Sequence, residues 1–311
     1  MNPGTGKYEQ LLKRSASLKP VPTAVAYPCE QTALAGAIEA GEKGLIVPIL
    51  VGPMAKIHQI AQSSSINLDS AQLVDTPDSD TSAAKAVELV REGQAALLMK
   101  GSLHTDELLG AVVAKTTGLR TGRRISHAFL MDIPAYHKIL VITDAAINIT
   151  PALEEKADIC QNAIDLANAL GRENPKVAIL AAVETVTSKM PATIDAAALC
   201  KMADRGQITG GILDGPLAFD NAISKQAAEI KKIRSAVAGD PDIVLAPDLE
   251  AGNILAKQLI YLANAGSAGL VLGARVPIIL TSRSDSVDSR IASCVVAMLV
   301  AHARREELME R

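Results

Sequence analysis

Short apolar segments alternate with amphipathic segments along most of the chain, and this alternation restricts the fold more than any other feature. Residues 44–52 (GLIVPILVG), for example, predict a buried strand with helical patterns on both sides. Strands that alternate with helices are typical of a parallel sheet covered by helices. The apolar residues are almost all Ala, Val, Ile and Leu, with no Trp and 2 Phe, which suits helices packed closely on parallel strands. We therefore predict the α/β class.

The alternation occurs as two series, which predicts two α/β domains. Residues 128–132 and 138–143 predict two strands in quick succession, which interrupts the first series and is compatible with an antiparallel hairpin. A second alternating series begins at Lys176. The boundary is therefore expected near residues 143–151.

We assign residues 1–143 and 277–311 to domain I, which would contain both termini, and residues 144–276 to domain II. The last helix would then pack back on the first domain. That arrangement would place a cleft beside Ser282 and Arg283, which precede this helix.

Composition and charge exclude several classes of partner. The formal net charge is −3 and aromatic residues make up 2% of the chain, whereas nucleic-acid binding favours a basic surface and stacking side chains. No apolar run reaches the roughly 18 residues of a membrane span, and the polar residues 1–19 do not predict a signal peptide. We therefore expect a cytoplasmic protein without a nucleic-acid or membrane partner.

Motifs for metals and nucleotides are missing from the sequence. The 4 cysteines form no CxxC pair and the 5 histidines no HxH or HExxH pattern, so we predict no metal site and reduced thiols. No GxGxxG follows a strand, and neither GxxxxGK[ST] nor GxSxG occurs. Nicotinamide, P-loop and serine-hydrolase chemistry are therefore unsupported.

A cluster of polar residues follows the apolar run 269–280 and precedes the last predicted helix. Ser282 and Arg283 thus stand where a parallel strand opens onto a helix N-terminus, which favours ligands and anions. Arg283 can bind a phosphate or carboxylate bidentately, and Ser282 can donate to the same group. Alternatively, residues 284–286 (SDS) cap the helix and Arg283 pairs with a surface acid.

A second polar segment follows the predicted strand 95–99. Gly101 permits close approach of the backbone to a ligand, and Ser102 and Thr105 can donate to an anion. Thr105 or Asp106 is also suited to cap the next helix, and the two interpretations are compatible.

Residues 118–124 (GLRTGRR) predict a basic loop with glycines. Arg120, Arg123 and Arg124 suit a polyanionic ligand such as a nucleotide diphosphate or coenzyme A. The alternative is a solvated run of charges with partners on the surface, which is common for such segments.

Acidic residues also stand at the ends of predicted strands. Asp144 and Asp214 end strands, and Asp220 follows a Gly-Pro turn. They are candidates for general bases or for the anionic side of a cleft. Each is equally suited to cap a helix or to form a turn.

Several long motifs, taken in order, resemble the phosphate acetyl/butyryltransferase family. These motifs are MKGSLHTDELLGAVV, GLRTGRRISHAFLMDIP, ITDAAINITP, VAILAAVETVTSKMPAT, GGILDGPLAFDNA and PIILTSRSDS. The likeness covers residues 23–305 and includes the transferase part of enoyl-CoA hydratase/phosphate acetyltransferase proteins. The sequence resembles the butyryltransferase branch of the family more than the acetyltransferase branch.

The resemblance implies a reversible reaction in which acyl-CoA and phosphate give acyl phosphate and CoA. It also implies two α/β/α domains like those of isocitrate and isopropylmalate dehydrogenases, with the active site in a cleft between them. Homodimers or larger homo-oligomers are expected. Coenzyme A is then a substrate, and no tightly bound cofactor is expected.

The resemblance also implies roles for particular residues. Ser282 and Arg283 match the catalytic Ser-Arg pair of the acetyltransferase branch. That branch has a base aspartate seven positions after the serine, where Ser289 stands here, so Asp288 and Asp285 are the candidates for the base. A further arginine of that branch corresponds to about Leu109.

The anion-binding role of that missing arginine would then fall to the basic loop, at Arg120, Arg123 or Arg124, of which Arg120 and Arg124 are placed in the substrate-binding set. Together with Gly101, Ser102 and Thr105, the acids Asp144, Asp214 and Asp220 complete the predicted substrate-binding set. Two alternatives remain: a silent CoA-binding or regulatory homologue, and an oxidoreductase on the same fold.

Overall fold

The computed structural model describes residues 6–282 and 285–309. The strands within them are β1 (Val21–Ala26), β2 (Ile46–Gly52), β3 (Gln72–Asp75), β4 (Leu97–Lys100), β5 (Ser126–Asp132), β6 (Leu140–Thr143), β7 (Lys176–Leu180), β8 (Ile212–Leu217), β9 (Ile243–Leu245), β10 (Gly266–Leu272) and β11 (Ile278–Ile279). The helices are α1 (Lys7–Ser15), α2 (Gln31–Glu42), α3 (Met54–Ser63), α4 (Ser79–Arg91), α5 (Thr105–Val112), α6 (Leu153–Ala169), α7 (Pro191–Asp204), α8 (Phe219–Ile223), α9 (Lys225–Ile230), α10 (Leu249–Leu262) and α11 (Val287–Met309).

Two compact units make up the described chain. Unit 1 contains the described residues of Tyr8–Arg123 and Ala268–Arg311, and unit 2 those of Asn2–Lys7 and Arg124–Ser267. These limits differ from the domain limits expected from the sequence, 143/144 and 276/277. The difference arises because β5 and β6 pair with each other and β6 pairs with β9, which ties both strands to unit 2.

The strands of unit 1 follow the order β3-β2-β1-β4-β11-β10. All neighbouring pairs are parallel except β10 and β11, which are antiparallel. Every residue of β4 is buried, as expected for a central parallel strand with helices on both faces. The chain steps outward from β1 to β3 and then returns to β4 on the other side of β1. The carboxyl ends of β1 and β4 therefore form a topological switch point.

Helices of unit 1 pack in two groups. Helix α2 contacts α3 and α11, whereas α4 contacts α5 and lies over β1 and β2. Because crossover connections are right-handed, the reversal of strand order after β3 places these groups on opposite faces of the sheet. Helix α11 buries a long stretch that includes Cys294, Val296 and Met298, so it forms a central part of the core of unit 1.

The strands of unit 2 follow the order β5-β6-β9-β7-β8. Strands β5 and β6 are antiparallel, and the remaining pairs are parallel. The hairpin expected from residues 128–143 is thus confirmed, as is the α/β class. The core of unit 2 includes Ile142, Ala178 and Val244 from three neighbouring strands. None of the helices in the described residues is both long enough and apolar enough to span a membrane.

An ionic cluster lies at the amino ends of β6, β7 and β9 in unit 2. Lys138 Nζ is 2.9 Å from an oxygen of Asp242 and 3.1 Å from an oxygen of Asp240. Lys176 Nζ also bonds Asp240, at 3.1 Å. Burial raises the pKa of Asp240, but hydrogen bonds from Lys138 and Lys176 outweigh this and hold the pKa below its ordinary value. The cluster therefore stabilises the fold only while the carboxylates are ionised.

Replacing Lys138 by Met should lower the free energy of unfolding by on the order of 3 kcal/mol, because the two largely buried carboxylates lose a shared cation. Urea denaturation would measure the change. Lys201→Met is the matched control, because Lys201 pairs with Asp204 on the surface and the loss of an exposed ion pair should hardly change the stability.

The effect of Lys138→Met should also depend on pH. A carboxyl group whose pKa is lowered in the folded state adds stability above its unfolded pKa and loses that stability as the pH falls through the folded pKa. The difference between wild type and Lys138→Met should therefore shrink below roughly pH 4. An equal difference at neutral and acidic pH would contradict this account of the cluster.

Candidate active site

Three adjacent strands of unit 1 end side by side and bring together two of the polar segments expected to bind a ligand. Tyr27 follows β1, Gly101 follows β4, and Thr281 and Ser282 lie just beyond β11. Strands β1, β4 and β11 are neighbours and run parallel. This edge includes the topological switch point, where open α/β sheets bind ligands.

Backbone hydrogen bonds fasten the end of β4 to the end of β1. Gly101 N donates to Ala26 O at 2.9 Å, and Ser102 N donates to Tyr27 O at 2.8 Å. The Ser102 hydroxyl donates to the same Tyr27 carbonyl at 3.0 Å. A Cβ atom at Gly101 would overlap the carbonyl oxygens of Ala26 and Tyr27. Gly101 is therefore required for the contact between the two strand ends, and the Ser102 hydroxyl proton is used within the protein.

Tyr27 adopts an unusual backbone conformation at this junction. Its φ of 52° lies in the left-handed region, which non-glycine residues seldom occupy. Lys56 Nζ donates to Tyr27 Oη at 3.2 Å, and the ammonium lies 5.1 Å from the ring centroid. Strained backbone of this kind clusters at functional sites, and sequence patterns carry no signal for it.

The start of α5 is capped by a residue that the sequence analysis did not select. Glu107 accepts from His104 N at 2.6 Å and from the Ser79 hydroxyl at 3.0 Å. Thr105 is the first residue of the helix and is half-buried. Its predicted role in anion binding stays a prediction, because the cap does not occupy its side chain.

The segment after β11 is closed by its own hydrogen bonds. Ser282 N donates to Asp285 Oδ2 at 2.6 Å, and Asp285 N donates to Ser282 O at 3.1 Å. The Ser286 hydroxyl accepts from Ser289 N at 3.2 Å in the first turn of α11. Capping by the residues after Arg283, proposed as the alternative, is thus confirmed for Ser286. Arg283 itself and Ser284 lie outside the described residues.

Arg290 is the residue at this site that sequence reasoning missed. Its side chain is among the largest fully buried ones described. Nη1 donates to Thr281 Oγ1 at 2.7 Å and Nη2 donates to Ser282 O at 3.1 Å. A signal was present, because Arg290 lies four positions before Cys294 and eight before Met298, on a stripe that is otherwise apolar.

The basic loop is divided between the two compact units. Arg120 lies in unit 1 and is exposed, and its backbone forms an isolated bridge with Ala274. Arg124 lies in unit 2, where its guanidinium is 2.8 Å from Glu155 and donates to Asn148 Oδ1 at 2.8 Å. The alternative interpretation of the basic loop, in which its arginines pair with groups on the surface, therefore holds for Arg124.

The strand-end acids of unit 2 are largely used within the protein. Asp144 is buried, and its carboxylate accepts from the backbone amides of Ala146, Ile147 and Asn148. Asp214 accepts from Gly215 N at 2.9 Å. These contacts agree with the turn alternative, so both roles in substrate binding stay predictions.

Asp220 is exposed at the start of α8. A hydrogen bond from Asn221 N, and then the ammonium of Lys231, hold the pKa of Asp220 below its ordinary value. A carboxylate in this state is a weak base, so the structure offers no reason to give Asp220 the proton-accepting role. Among the described residues, no group of three or more His, Cys, Asp or Glu side chains is placed to hold a metal ion.

Comparison with known proteins gives consistent similarities. The sequence model described as "Phosphate acetyl/butaryl transferase" matches residues 80–298. A phosphate acetyltransferase of Rhizobium meliloti is 62% identical over 96% of this chain and 95% of its own length. A phosphate butyryltransferase of Clostridium beijerinckii is 41% identical over 94% of this chain and 97% of its own length. The expectation of greater likeness to the butyryltransferase branch is therefore wrong for these two relatives, because the acetyltransferase has the higher identity.

A solved structure is similar over nearly the same length. The crystal structure of a branched-chain phosphotransacylase from Enterococcus faecalis superimposes with a TM-score of 0.80 at 30% identity. The match covers 91% of this chain and 99% of the other. The resemblance in sequence thus extends to the fold.

Replacing Gly101 by Ala should destabilise the protein by roughly 2 to 3 kcal/mol, because the added methyl group forces apart the ends of β1 and β4. Hydrogen exchange should become faster in peptides covering residues 21–27 and 97–102. Gly110→Ala is the matched control, because a Cβ there meets nothing within 4 Å. If the two variants were equally stable, the requirement for glycine at position 101 would be refuted.

Proposed function

The chain belongs to the phosphate acetyl/butaryl transferase family, and we propose that it transfers a short acyl group reversibly between coenzyme A and inorganic phosphate. It is an acyltransferase. The higher identity to the acetyltransferase relative than to the butyryltransferase relative, 62% against 41%, supports acetyl as the first substrate to test. Acyl-CoA, phosphate and acyl phosphate are then substrates, and no resident cofactor is needed.

One observation supports this function above the others. Ser282 is held at the carboxyl end of β11, beside the junction of β1 and β4. In the proposed reaction, a phosphate oxygen attacks the thioester carbonyl, which forms the C–O bond and a tetrahedral oxyanion. The oxyanion then collapses to the acyl phosphate as the C–S bond breaks, and the CoA thiolate that leaves takes up a proton. The Ser282 hydroxyl can donate to the oxyanion or to the leaving sulfur. Much of the rate would come from holding both substrates in one ternary complex.

Arg283 supplies the phosphate-binding charge in this proposal. Its assignment rests on the sequence, because it follows Ser282 directly and lies outside the described residues. A guanidinium binds a phosphate bidentately and offsets the charge that develops in the transition state. The exposed Arg120 is proposed to bind a phosphate group of coenzyme A in the same manner. Arg124 is the weaker candidate, since Glu155 already pairs with it.

Asp288 is the better candidate for the base that exchanges a proton with the CoA thiol. Asp285 already accepts a hydrogen bond from Ser282 N, which fixes its carboxylate within the segment. Asp288 lies in the first turn of α11 and is exposed. We therefore assign a structural role to Asp285. The proton transfer is proposed for Asp288 because its carboxylate is exposed and stands one position before Ser289, where the acetyltransferase branch has its base.

A homodimer is proposed from the surface of α10 in unit 2. Ile254, Tyr261 and Leu262 are 66%, 64% and 78% exposed, and their spacing places them on one face of the helix. An exposed apolar face of this kind marks an interaction site. A second copy of this chain is the occupant we propose. The substrates and the free thiols of the cysteines agree with a cytoplasmic location.

Ser282→Ala should lower kcat for phosphate-dependent thiol release from acetyl-CoA by about 100-fold to 1,000-fold. The thermal unfolding midpoint should change far less than kcat, because the substitution leaves the backbone hydrogen bonds of Ser282 in place. Ser63→Ala, at an exposed position in α3, is the control and should keep full activity. Thiol release without phosphate, or none with acetyl-CoA and butyryl-CoA, would overturn the proposed function.

The same assay separates the two aspartates. Asp288→Asn should reduce thiol release and flatten its dependence on pH, since the proton acceptor is lost. Asp285→Asn should lower thermal stability more than it alters the pH profile. Full activity of Asp288→Asn at every pH would assign the proton to another group.

Ile254→Asp combined with Leu262→Asp should halve the molar mass measured by light scattering after size exclusion, because charges replace the apolar contact. Ile230→Asp is the matched control, because Ile230 is a similarly exposed residue of α9 and should leave the mass unchanged. A wild-type monomer, or an unchanged mass of the double variant, would contradict the proposed interface.

A further inference from the structure

Arg290 is a fully buried charge next to the proposed catalytic serine. Its side chain lies in the second turn of α11, and the residue is 1% exposed. The fork of its guanidinium spans two consecutive residues, because Nη1 donates to Thr281 Oγ1 at 2.7 Å and Nη2 donates to Ser282 O at 3.1 Å. A guanidinium presents donors in a rigid plane, so these two bonds fix both a side chain and a backbone carbonyl.

The carbonyl of Ser282 receives a second hydrogen bond, from Asp285 N at 3.1 Å. The amide of the same serine is held by the Asp285 carboxylate at 2.6 Å. Both polar backbone groups of Ser282 are therefore fixed, and Arg290 connects them to the buried part of α11. The chain between the end of β11 and the start of α11 is thereby restricted at the residue that carries the proposed catalytic hydroxyl.

Helix α2 carries a glycine where the side chain of Arg290 passes. A Cβ atom at Gly36 would lie 2.7 Å from Arg290 Cδ and 3.2 Å from Arg290 Cβ. A glycine inside a helix is less stable than an alanine. Gly36 therefore accepts a local cost in α2, and the three atoms nearest to the place of its missing Cβ all belong to the Arg290 side chain.

The carboxylates of Glu30 and Asp285 partly compensate the buried charge of Arg290. Burial lowers the pKa of Arg290, and the carboxylates of Glu30 and Asp285 offset part of that shift. The guanidinium stays charged, because its ordinary pKa is far above neutral. Glu30 lies just before α2, and its Oε1 accepts from the Thr32 hydroxyl at 2.7 Å. A buried charge costs more than an apolar side chain of similar volume, so stability alone does not account for an arginine at this position.

We propose that Arg290 is a positioning residue for the acyl transfer: its forked guanidinium holds Thr281 and Ser282 at the strand end, and Gly36 provides the space it requires. This inference rests on the proposed function, because it gives Ser282 the catalytic hydroxyl. The role belongs to kcat rather than to substrate affinity, since Arg290 is buried beneath the segment. Small displacements of a reacting group reduce rates strongly even when binding is retained.

The test compares Arg290→Met, Arg290→Lys and Arg290→Ala with wild type in phosphate-dependent thiol release. Arg290→Met should lower kcat about 100-fold, with KM for acetyl-CoA within about 3-fold of wild type and no loss of thermal stability. The kcat of Arg290→Lys should lie between those of wild type and Arg290→Met, because an ammonium keeps the charge but cannot reproduce the planar fork. Millimolar guanidinium ion should restore part of the activity of Arg290→Ala by occupying the space left behind.

Gly36→Ala tests the same contact from helix α2. It should lower kcat as Arg290→Met does, because the added methyl group displaces the Arg290 side chain. Gly110→Ala should leave kcat unchanged, because a Cβ there meets nothing within 4 Å. Unchanged kcat in Arg290→Met would overturn the inference. So would a loss of activity that parallels a loss of stability and that guanidinium ion fails to restore in Arg290→Ala, since that result describes a purely structural residue.

Hydrogen exchange distinguishes failure of this inference from failure of the proposed function. Peptides covering residues 280–286 should exchange faster in Arg290→Met than in wild type, and peptides from unit 2 should be unaffected. If wild type releases no thiol, the proposed function fails, and faster exchange still supports Arg290 as the residue that holds this segment. Unchanged exchange overturns the inference whatever the activity of wild type.

Discussion

Backbone hydrogen bonds join the ends of β1 and β4, the two strands at which the strand order of unit 1 reverses. Gly101 N donates to Ala26 O, and Ser102 donates to Tyr27 O through both its amide and its hydroxyl. Both strands are central and almost completely buried, so their ends cannot shift without disturbing the core. Strand β11 pairs with β4, so the end of β11 is fixed relative to the ends of β1 and β4. The place of Ser282 is thus set by a backbone contact between residues more than seventy positions apart in the chain.

Energetic cost separates residues that stabilise this edge from residues retained for function. A buried ion pair is often replaced by apolar side chains with a neutral or favourable effect of about 1 to 4 kcal/mol. Arg290 carries the cost of a buried charge and Tyr27 that of a left-handed backbone. Tyr27 follows β1 and the Arg290 guanidinium bonds the residues just beyond β11, so both costs fall at the same edge of the sheet. Lys138 in unit 2 differs, because its partners Asp240 and Asp242 hold it in a cluster whose evident consequence is stability.

The acids at strand ends show why a polar residue in a favourable place is weak support for a catalytic role. Asp144 satisfies three backbone amides of its own turn, and Asp285 satisfies the amide of Ser282. Buried or half-buried polar groups must find hydrogen-bond partners, and the nearest ones are in the local backbone. A carboxylate committed in this way positions the chain and is less available for proton transfer.

The sequence by itself determined the α/β class, the antiparallel hairpin and the family, because hydrophobic periodicity and long ordered motifs are local properties of the chain. It also singled out Ser282 and Gly101 as candidates, since both follow closely on largely apolar segments, and their roles in substrate binding and catalysis stay predictions. The tertiary structure alone decided the limits of the two units, through the pairing of β6 with β9. It alone revealed the contact between Arg290 and Gly36, because contacts between α2 and α11 join residues about 250 positions apart. Such contacts arise from packing, and no local pattern in the sequence records them.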